Sequence, residues 1–171
     1  GGGGGGAGPE VLDVDHLVIA AGPATEALLR PWGWAPPIEP IRGYSITLPF
    51  RGEARPRASV THLGRKTVFA PLGDALRVAA MAEITGYDMS IPESRVQAMI
   101  DSVEAVYPGM CRTDSPKPWS GLRPATPDSL PRIGRLASTN LFVNAGQGAL
   151  GLTLAAGSAA KLSDELVRFA A

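Results

Sequence analysis

Trp119-Ser-Gly-Leu-Arg-Pro-Ala-Thr-Pro-Asp-Ser-Leu-Pro-Arg-Ile-Gly134, a short spacer, and then Asn140-Leu-Phe-Val-Asn-Ala-Gly-Gln-Gly-Ala-Leu-Gly-Leu-Thr-Leu154 decide how this chain is read. Leu141, Phe142 and Val143 form an apolar run that meets a glycine loop at Gly146, Gly148 and Gly151. A helix rich in small residues follows, from Leu152 to about Phe169. Strand, glycine turn and helix start bring unpaired N–H groups and the positive end of a helix dipole close to an electron-rich group. In the first half, Arg123 is pinned between Gly121 and Pro124. A guanidinium so constrained suits two-pronged binding of a carboxylate. The two halves read together as a cofactor loop beside an anion clamp.

Gly146-Gln147-Gly148-Ala149-Leu150-Gly151 is formally a G-x-G-x-x-G dinucleotide fingerprint. Its context argues against an ADP grip. No second strand follows it, and the acids at the right distance, Asp164 and Glu165, fall inside the helix. A tight structural turn, or a loop facing another part of a cofactor, are the readings that remain.

Working back from that stretch, Ser90-Ile-Pro-Glu93 has the form of a capping box with Ser90 at the cap. It predicts a helix with Val96, Met99, Ile100, Val103, Val106 and Tyr107 on one stripe, ending before Pro108-Gly109. Thr67 to Ala70, the turn Pro71 to Asp74, and Leu76 to Thr85 predict a hairpin, and Ala58 to Leu63 a weaker strand. In the last strand, Leu76, Val78, Ala80, Ala82 and Ile84 are expected on one face, with Arg77, Met81, Glu83 and Thr85 on the other. Ile41 to Pro49 reads as a strand with Arg42, Tyr44, Ile46 and Leu48 on one side, and Arg51 to Arg57 as a charged turn. The Pro/Trp-rich segment Trp32 to Pro40 is the expected domain boundary. Before it, the nearly continuous apolar run His16 to Ala21 suits a strand in a parallel sheet, and Pro23 the first turn of a short helix ending at Pro31. The last helix is expected to bury Leu152, Ala155, Ala159, Leu162, Leu166 and Phe169. Gly1 to Gly6 reads as a flexible tail, or a linker left by truncation, and carries no signal-peptide pattern.

Composition narrows the chemistry. The 16 basic and 16 acidic residues balance, which disfavours nucleic acid or a polybasic membrane anchor as partner. One cysteine, Cys111, rules out an intrachain disulfide framework. With only His16 and His62 beside it, a metal site is not expected. No nucleophile-elbow pattern supports a serine hydrolase. The 21 glycines and 16 prolines suit a turn-rich α+β protein.

The stretches 119–134 and 140–153 resemble the C-terminal signature of the D-amino-acid oxidase/dehydrogenase superfamily. Pro40 to Pro49 and Leu17 to Gly22 are similar to the bacterial D-amino-acid dehydrogenase small-subunit group within it. The resemblance covers about residues 11 to 169. It implies an α+β fold: an antiparallel substrate-domain sheet with flanking helices, plus a remnant of an FAD-binding Rossmann-like domain. The implied organisation is a tail (1–10), a first piece of the FAD-binding domain (11–40), a substrate-binding domain (41–118) and a return to the FAD-binding domain (119–171).

By the same resemblance, Arg123 binds the substrate carboxylate. Ala21 and Gly22 form the strand end that passes the cofactor. Gly146, Gln147, Gly148, Ala149, Leu150, Gly151, Leu152 and Thr153 lie along FAD. From the residues alone, Tyr44 and Tyr87 are each candidates to orient a substrate, with ordinary packing as the alternative reading. The implied reaction is oxidative deamination of a D-amino acid to a 2-oxo acid and ammonia, by hydride transfer to flavin. Electrons would pass to a quinone or respiratory carrier, in the cytoplasm or at the inner face of the cell membrane. A glycine- or sarcosine-type amine oxidase, or a truncated non-catalytic module, are the alternatives. The sequence departs from the family at Gln147, where a histidine is usual, and at Leu152, where a tryptophan is common. The N-terminal fingerprint for the ADP half is absent from these residues, so a partner chain or an N-terminal half is expected to supply it.

Overall fold

The structure, a computed structural model, describes residues 10–136 and 139–170, so the glycine run Gly1 to Gly6 lies outside the described residues. The apolar run after His16 forms a short strand, β1 (Leu17–Ile19). A 3-10 turn (Gly22–Ala24) leads from it into the five-residue helix α1 (Thr25–Leu29). Then come β2 (Glu39–Pro49), β3 (Val60–His62), β4 (Thr67–Leu72) and β5 (Ala75–Ile84), the helix α2 (Glu93–Val106), and β6 (Lys117–Ala125). The chain closes with β7 (Arg132–Arg135), β8 (Leu141–Ala145) and the long helix α3 (Gly151–Ala170).

Two sheets result. The larger has the order β3-β4-β5-β2-β6 and is antiparallel throughout; the smaller has the order β1-β8-β7. In the smaller, β1 runs parallel to β8, the direction expected, but as an edge strand it leaves Leu17 and Val18 exposed, and β7 is antiparallel to β8. The α+β class expected from the sequence is the class observed.

The main core lies between one face of the large sheet and α2. Tyr44, Ile46, Leu48, Phe69, Leu76 and Val78 from the sheet meet Met99 and Val103 from the helix, all essentially sealed from solvent. Each such side chain contributes roughly 1.5–3 kcal/mol of transfer free energy. Cys111 is buried in this core, and burial pushes its thiol pKa up, as suits an inert cysteine. A second core joins Leu29 and Ile38 to Leu136, Leu141, Val143 and Ala145 beside the small sheet.

Three expectations need correction, and one strand was not foreseen. The alternation along β5 breaks at Met81. Arg42 pairs with Glu83 and Tyr44 with Ala80, so two residues, Met81 and Ala82, stand opposite the single Gly43. This is a β-bulge, and Met81 takes the left-handed conformation (φ 69°) that glycine supplies in one type of bulge. The extra residue reverses the faces beyond it. Glu83 joins Tyr44 and Arg42, while Ile84, expected in the core, is 73% exposed. The Ser90 capping box does not form: α2 starts at Glu93 with Pro92 at its N-cap and no side-chain cap. Ser90 instead bonds Asp88, its N–H donating to Oδ1 and its hydroxyl to Oδ2. The buried stripe of α3 is rotated toward Ser158 and Leu162, leaving Leu152 95% exposed and Ala155 and Ala159 exposed. Finally, Lys117 to Ala125 is a full strand, although its two prolines and glycine mask it; as the last strand of its sheet it tolerates prolines whose missing N–H groups are not needed in the ladder.

Candidate functional site

Strand β6 is where the separate motifs meet. The Gly22–Ala24 turn and the short 3-10 turn Gly148–Leu150 that opens α3 both pack against it. Its residues alternate between the two sides of the sheet. Arg123, beside Ile41 of β2, emerges on the face opposite α2, and so does Gly121, beside Gly43. On that face lies a cleft of about 450 Å³, lined by Arg123 and by the loop Gly146, Gln147, Gly148, Ala149 and Leu150. Six of the residues singled out in the sequence are thereby gathered on one cavity.

The loop is built to be approached closely. Gly146 has φ +85° and Gly148 φ +57°, both left-handed. A Cβ on Gly146 would lie 2.8 Å from Thr126 Cγ2. Gln147, at the N-cap of the 3-10 turn, offers no capping bond; its Nε2 donates to Asn144 Oδ1 at 2.5 Å. Leu150 N–H donates to the Gln147 carbonyl, and no side-chain bond from Gln147 caps the turn.

Arg123 is held but not saturated. Its Nη1 donates to the carbonyl of Met81 at 3.1 Å, and no carboxylate pairs with it among the described residues. Its guanidinium lies flat on Gly43, where a Cβ would overlap it. The remaining donors of the fork are available to a ligand.

Ile41, Ala82, Ala125, Thr126 and Ser129 also line the cleft and were not foreseen. Ala82 arrives there only because of the bulge. Thr126 and Ser129 belong to a tight turn whose signal, Thr-Pro-Asp-Ser, is visible in the sequence though its position is not. Ser129 N–H donates to Thr126 O, and the Thr126 hydroxyl donates to Leu130 O. Asp128 Oδ1 accepts from Leu130 N–H at 3.1 Å, and its carboxylate takes both Nη groups of Arg132. The backbone N–H first, then Arg132, hold the Asp128 pKa below the usual carboxylate range.

Tyr44, expected to orient substrate, points to the α2 side. It is buried, and its hydroxyl donates to Glu83 Oε2 at 2.5 Å. There Arg42 Nη2 donates to Glu83 Oε2 (3.2 Å) and Nη1 to Asp88 Oδ2 (2.6 Å), and Arg95 pairs with Glu83. Burial works against the Arg42 charge, and the bonds to Asp88 and Glu83 outweigh it, so its pKa rises. The Tyr44 hydroxyl, with Arg42 and Arg95, holds Glu83 ionised below its ordinary range. Asp88 is lowered chiefly by the Ser90 N–H and hydroxyl, then by Arg42. Burial and the bond to Glu83 raise the Tyr44 pKa.

Ala21 and Gly22 do not line the cleft; the turn they begin packs on β6. Gly151, Leu152 and Thr153 form the exposed first turn of α3, beyond the cleft. Among the described residues no cluster of histidine, cysteine or carboxylates suits a metal. No described helix is long and apolar enough to cross a membrane.

The model of a family described as FAD dependent oxidoreductase (DAO) matches residues 1–165. The D-amino acid dehydrogenase of Dechloromonas aromatica is 43% identical over 158 residues, 92% of this chain and 38% of that protein. An uncharacterized oxidoreductase of Halorhodospira halophila is 41% identical over 160 residues, 91% of this chain and 73% of that protein. Among solved structures, glycine oxidase from Geobacillus kaustophilus superposes with a TM-score of 0.78 at 21% identity, over 90% of this chain and 41% of its own. Iminodiacetate oxidase from Chelativorans sp. BNC1 gives the same score at 22% identity, over 91% and 43%. The chain spans about two fifths of the length of the D-amino acid dehydrogenases it matches.

Proposed function

The chain belongs to the FAD dependent oxidoreductase family, and from that premise we propose that it is the C-terminal part of an enzyme that oxidatively deaminates D-amino acids. The observation that carries this reading is the meeting of Arg123 and the Gly146–Leu150 loop on one cleft. The identity to proteins named D-amino acid dehydrogenase supports the choice of substrate.

The residues fit a flavin. Left-handed Gly146 and Gly148 keep the loop bare of side chains, and no side-chain bond from Gln147 caps the turn that opens α3, which suits a carbonyl-rich ring in need of backbone donors. Gly146 to Leu150 would hold it, with Gly151, Leu152 and Thr153 continuing along its edge and the Ala21–Gly22 turn bounding it. FAD supplies the acceptor for the hydride that leaves the substrate α-carbon. What this chain does is bind and orient. The Arg123 fork takes the substrate carboxylate and fixes the α-carbon against the loop. Loop N–H groups and the α3 dipole stabilise negative charge as it develops beyond Gly148. The resulting imino acid takes up water to give the 2-oxo acid and ammonia, a step that needs no side-chain base.

We assign β2 to β5 with α2 to the substrate-binding part (41–118), and β1 with α1, and β6 to β8 with α3, to the FAD-binding part (11–40 and 119–171). β6 is shared, and the return between sheets falls after Ala125. The dehydrogenase names support an acceptor other than oxygen, a quinone or respiratory carrier, reached in the cytoplasm or at the inner face of the membrane. The test is anaerobic reduction of the FAD-loaded protein. D-Alanine should bleach the visible flavin band while L-alanine and sarcosine leave it. Bleaching by sarcosine but not D-alanine would replace this reading with the amine-oxidase one.

A further inference from the structure

Resting on the reading of Arg123 as carboxylate ligand, we propose that the Met81–Ala82 bulge and Gly43 form a seat whose task is to set the plane of the Arg123 guanidinium, with the Met81 carbonyl as a positioning group. Three observations meet here. Gly43 is the single residue opposite the two-residue bulge, so the irregularity and the glycine sit at one point of the sheet. The left-handed turn at Met81 is adopted by a residue that ordinarily avoids it, and that residue's carbonyl accepts the one side-chain hydrogen bond Arg123 makes among the described residues. The guanidinium rests face-down on the Gly43 backbone, in space any Cβ would occupy.

Each part has a separate effect. A regular ladder would engage the β5 carbonyls with the neighbouring strand, whereas a bulge leaves one unpaired for a side chain. Glycine lets the planar fork settle onto the strand and leaves its edges, rather than its face, toward the cleft. One Nη is occupied by Met81, which fixes the rotation of the fork and presents the remaining donors in one orientation. The same extra residue brings Ala82, a small side chain, to the cleft wall. The bulge therefore shapes the site twice.

Gly43→Ala tests the seat. The atoms it displaces are the far end of a long side chain, so the sheet can stay intact while the guanidinium moves. Neighbouring Gly121→Ala is the matched control, because its Cβ would meet the Trp119 indole instead. In the FAD-loaded protein, Arg123→Ala should raise KM for D-alanine about 100-fold. Gly43→Ala should raise it about tenfold with kcat held, as loss of one charged hydrogen bond of a uniform binding contact does. An independent readout needs neither flavin nor substrate: the Arg123 Nη–H resonances in NMR. They should be distinct in the unmodified chain and under Gly121→Ala, and merge under Gly43→Ala or on deletion of Met81, which restores a regular ladder. Merged resonances in the unmodified chain would overturn the seat whatever the variants do. So would an unchanged KM in folded Gly43→Ala alongside a large loss in Arg123→Ala. An unchanged KM in Arg123→Ala would instead remove the carboxylate reading, while the NMR result still judges the seat.

Discussion

Arg42 and Arg123 occupy neighbouring strands of one sheet and face opposite sides of it. Arg42 is buried and its charge is spent internally. Asp88, Glu83 and Ser90 take its Nη donors, Tyr44 lies with its ring centroid 5.2 Å from Arg42 Cζ, and only Nε lacks a partner. Among the described residues Arg123 has a backbone carbonyl and no carboxylate as side-chain partner. A guanidinium surrounded by carboxylates has no Coulombic reason to bind another; one held by a neutral oxygen keeps its full charge for a ligand. The same residue type is architecture on one face and recognition on the other, and the difference lies wholly in the neighbours.

Changes at the two arginines should separate binding from stability. Arg123→Ala is expected to show the largest effect, about 2–5 kcal/mol in carboxylate binding with little change in Tm, measured by KM for D-alanine and by calorimetry. Arg42→Ala should do the reverse: the largest loss of Tm among these variants, because Glu83 and Asp88 lose the cation they surround, with KM of the folded protein unchanged. A KM effect at Arg42 without a Tm effect would break the distinction. Gly146→Ala bears on the cleft side, forcing a Cβ toward Thr126 in a left-handed residue. It should cost about 1–3 kcal/mol in urea unfolding and weaken FAD retention. Met81→Gly relieves the left-handed strain but removes a side chain packed against the main core, so the two effects should nearly cancel, with a net change within about 1 kcal/mol in the same assay.

The smallest effect is on pH. The pKa values of Glu83 and Asp88 are depressed in the folded state, so their contribution is present at neutral pH, above the unfolded values near 4. It declines as pH falls through the folded values. Unfolding should therefore shift to lower urea below about pH 4, and Arg42→Ala should flatten that dependence.

Much of this was legible in the residues themselves. The apolar run at Leu17, the hairpin about Gly73, the stripe through Met99 and Val103, and the glycine loop after Val143 are local signals, because periodicity and turn chemistry act over a few residues. What sequence determined here is which elements exist and which residue types can bind an anion or approach a ring. Tertiary structure decided the rest. Strict alternation placed Ala82 and Ile84 in the core, and no neighbour of Met81 announces a bulge at a non-glycine residue. Whether a bulge forms depends on the fit of β5 to β2, a contact across some forty residues of chain. The same holds for Tyr44: its position in β2 is local information, but its partner Glu83 is turned toward it only by that bulge. Which side of a strand faces water, and which arginine keeps its charge for a ligand, are settled by packing between segments far apart in sequence.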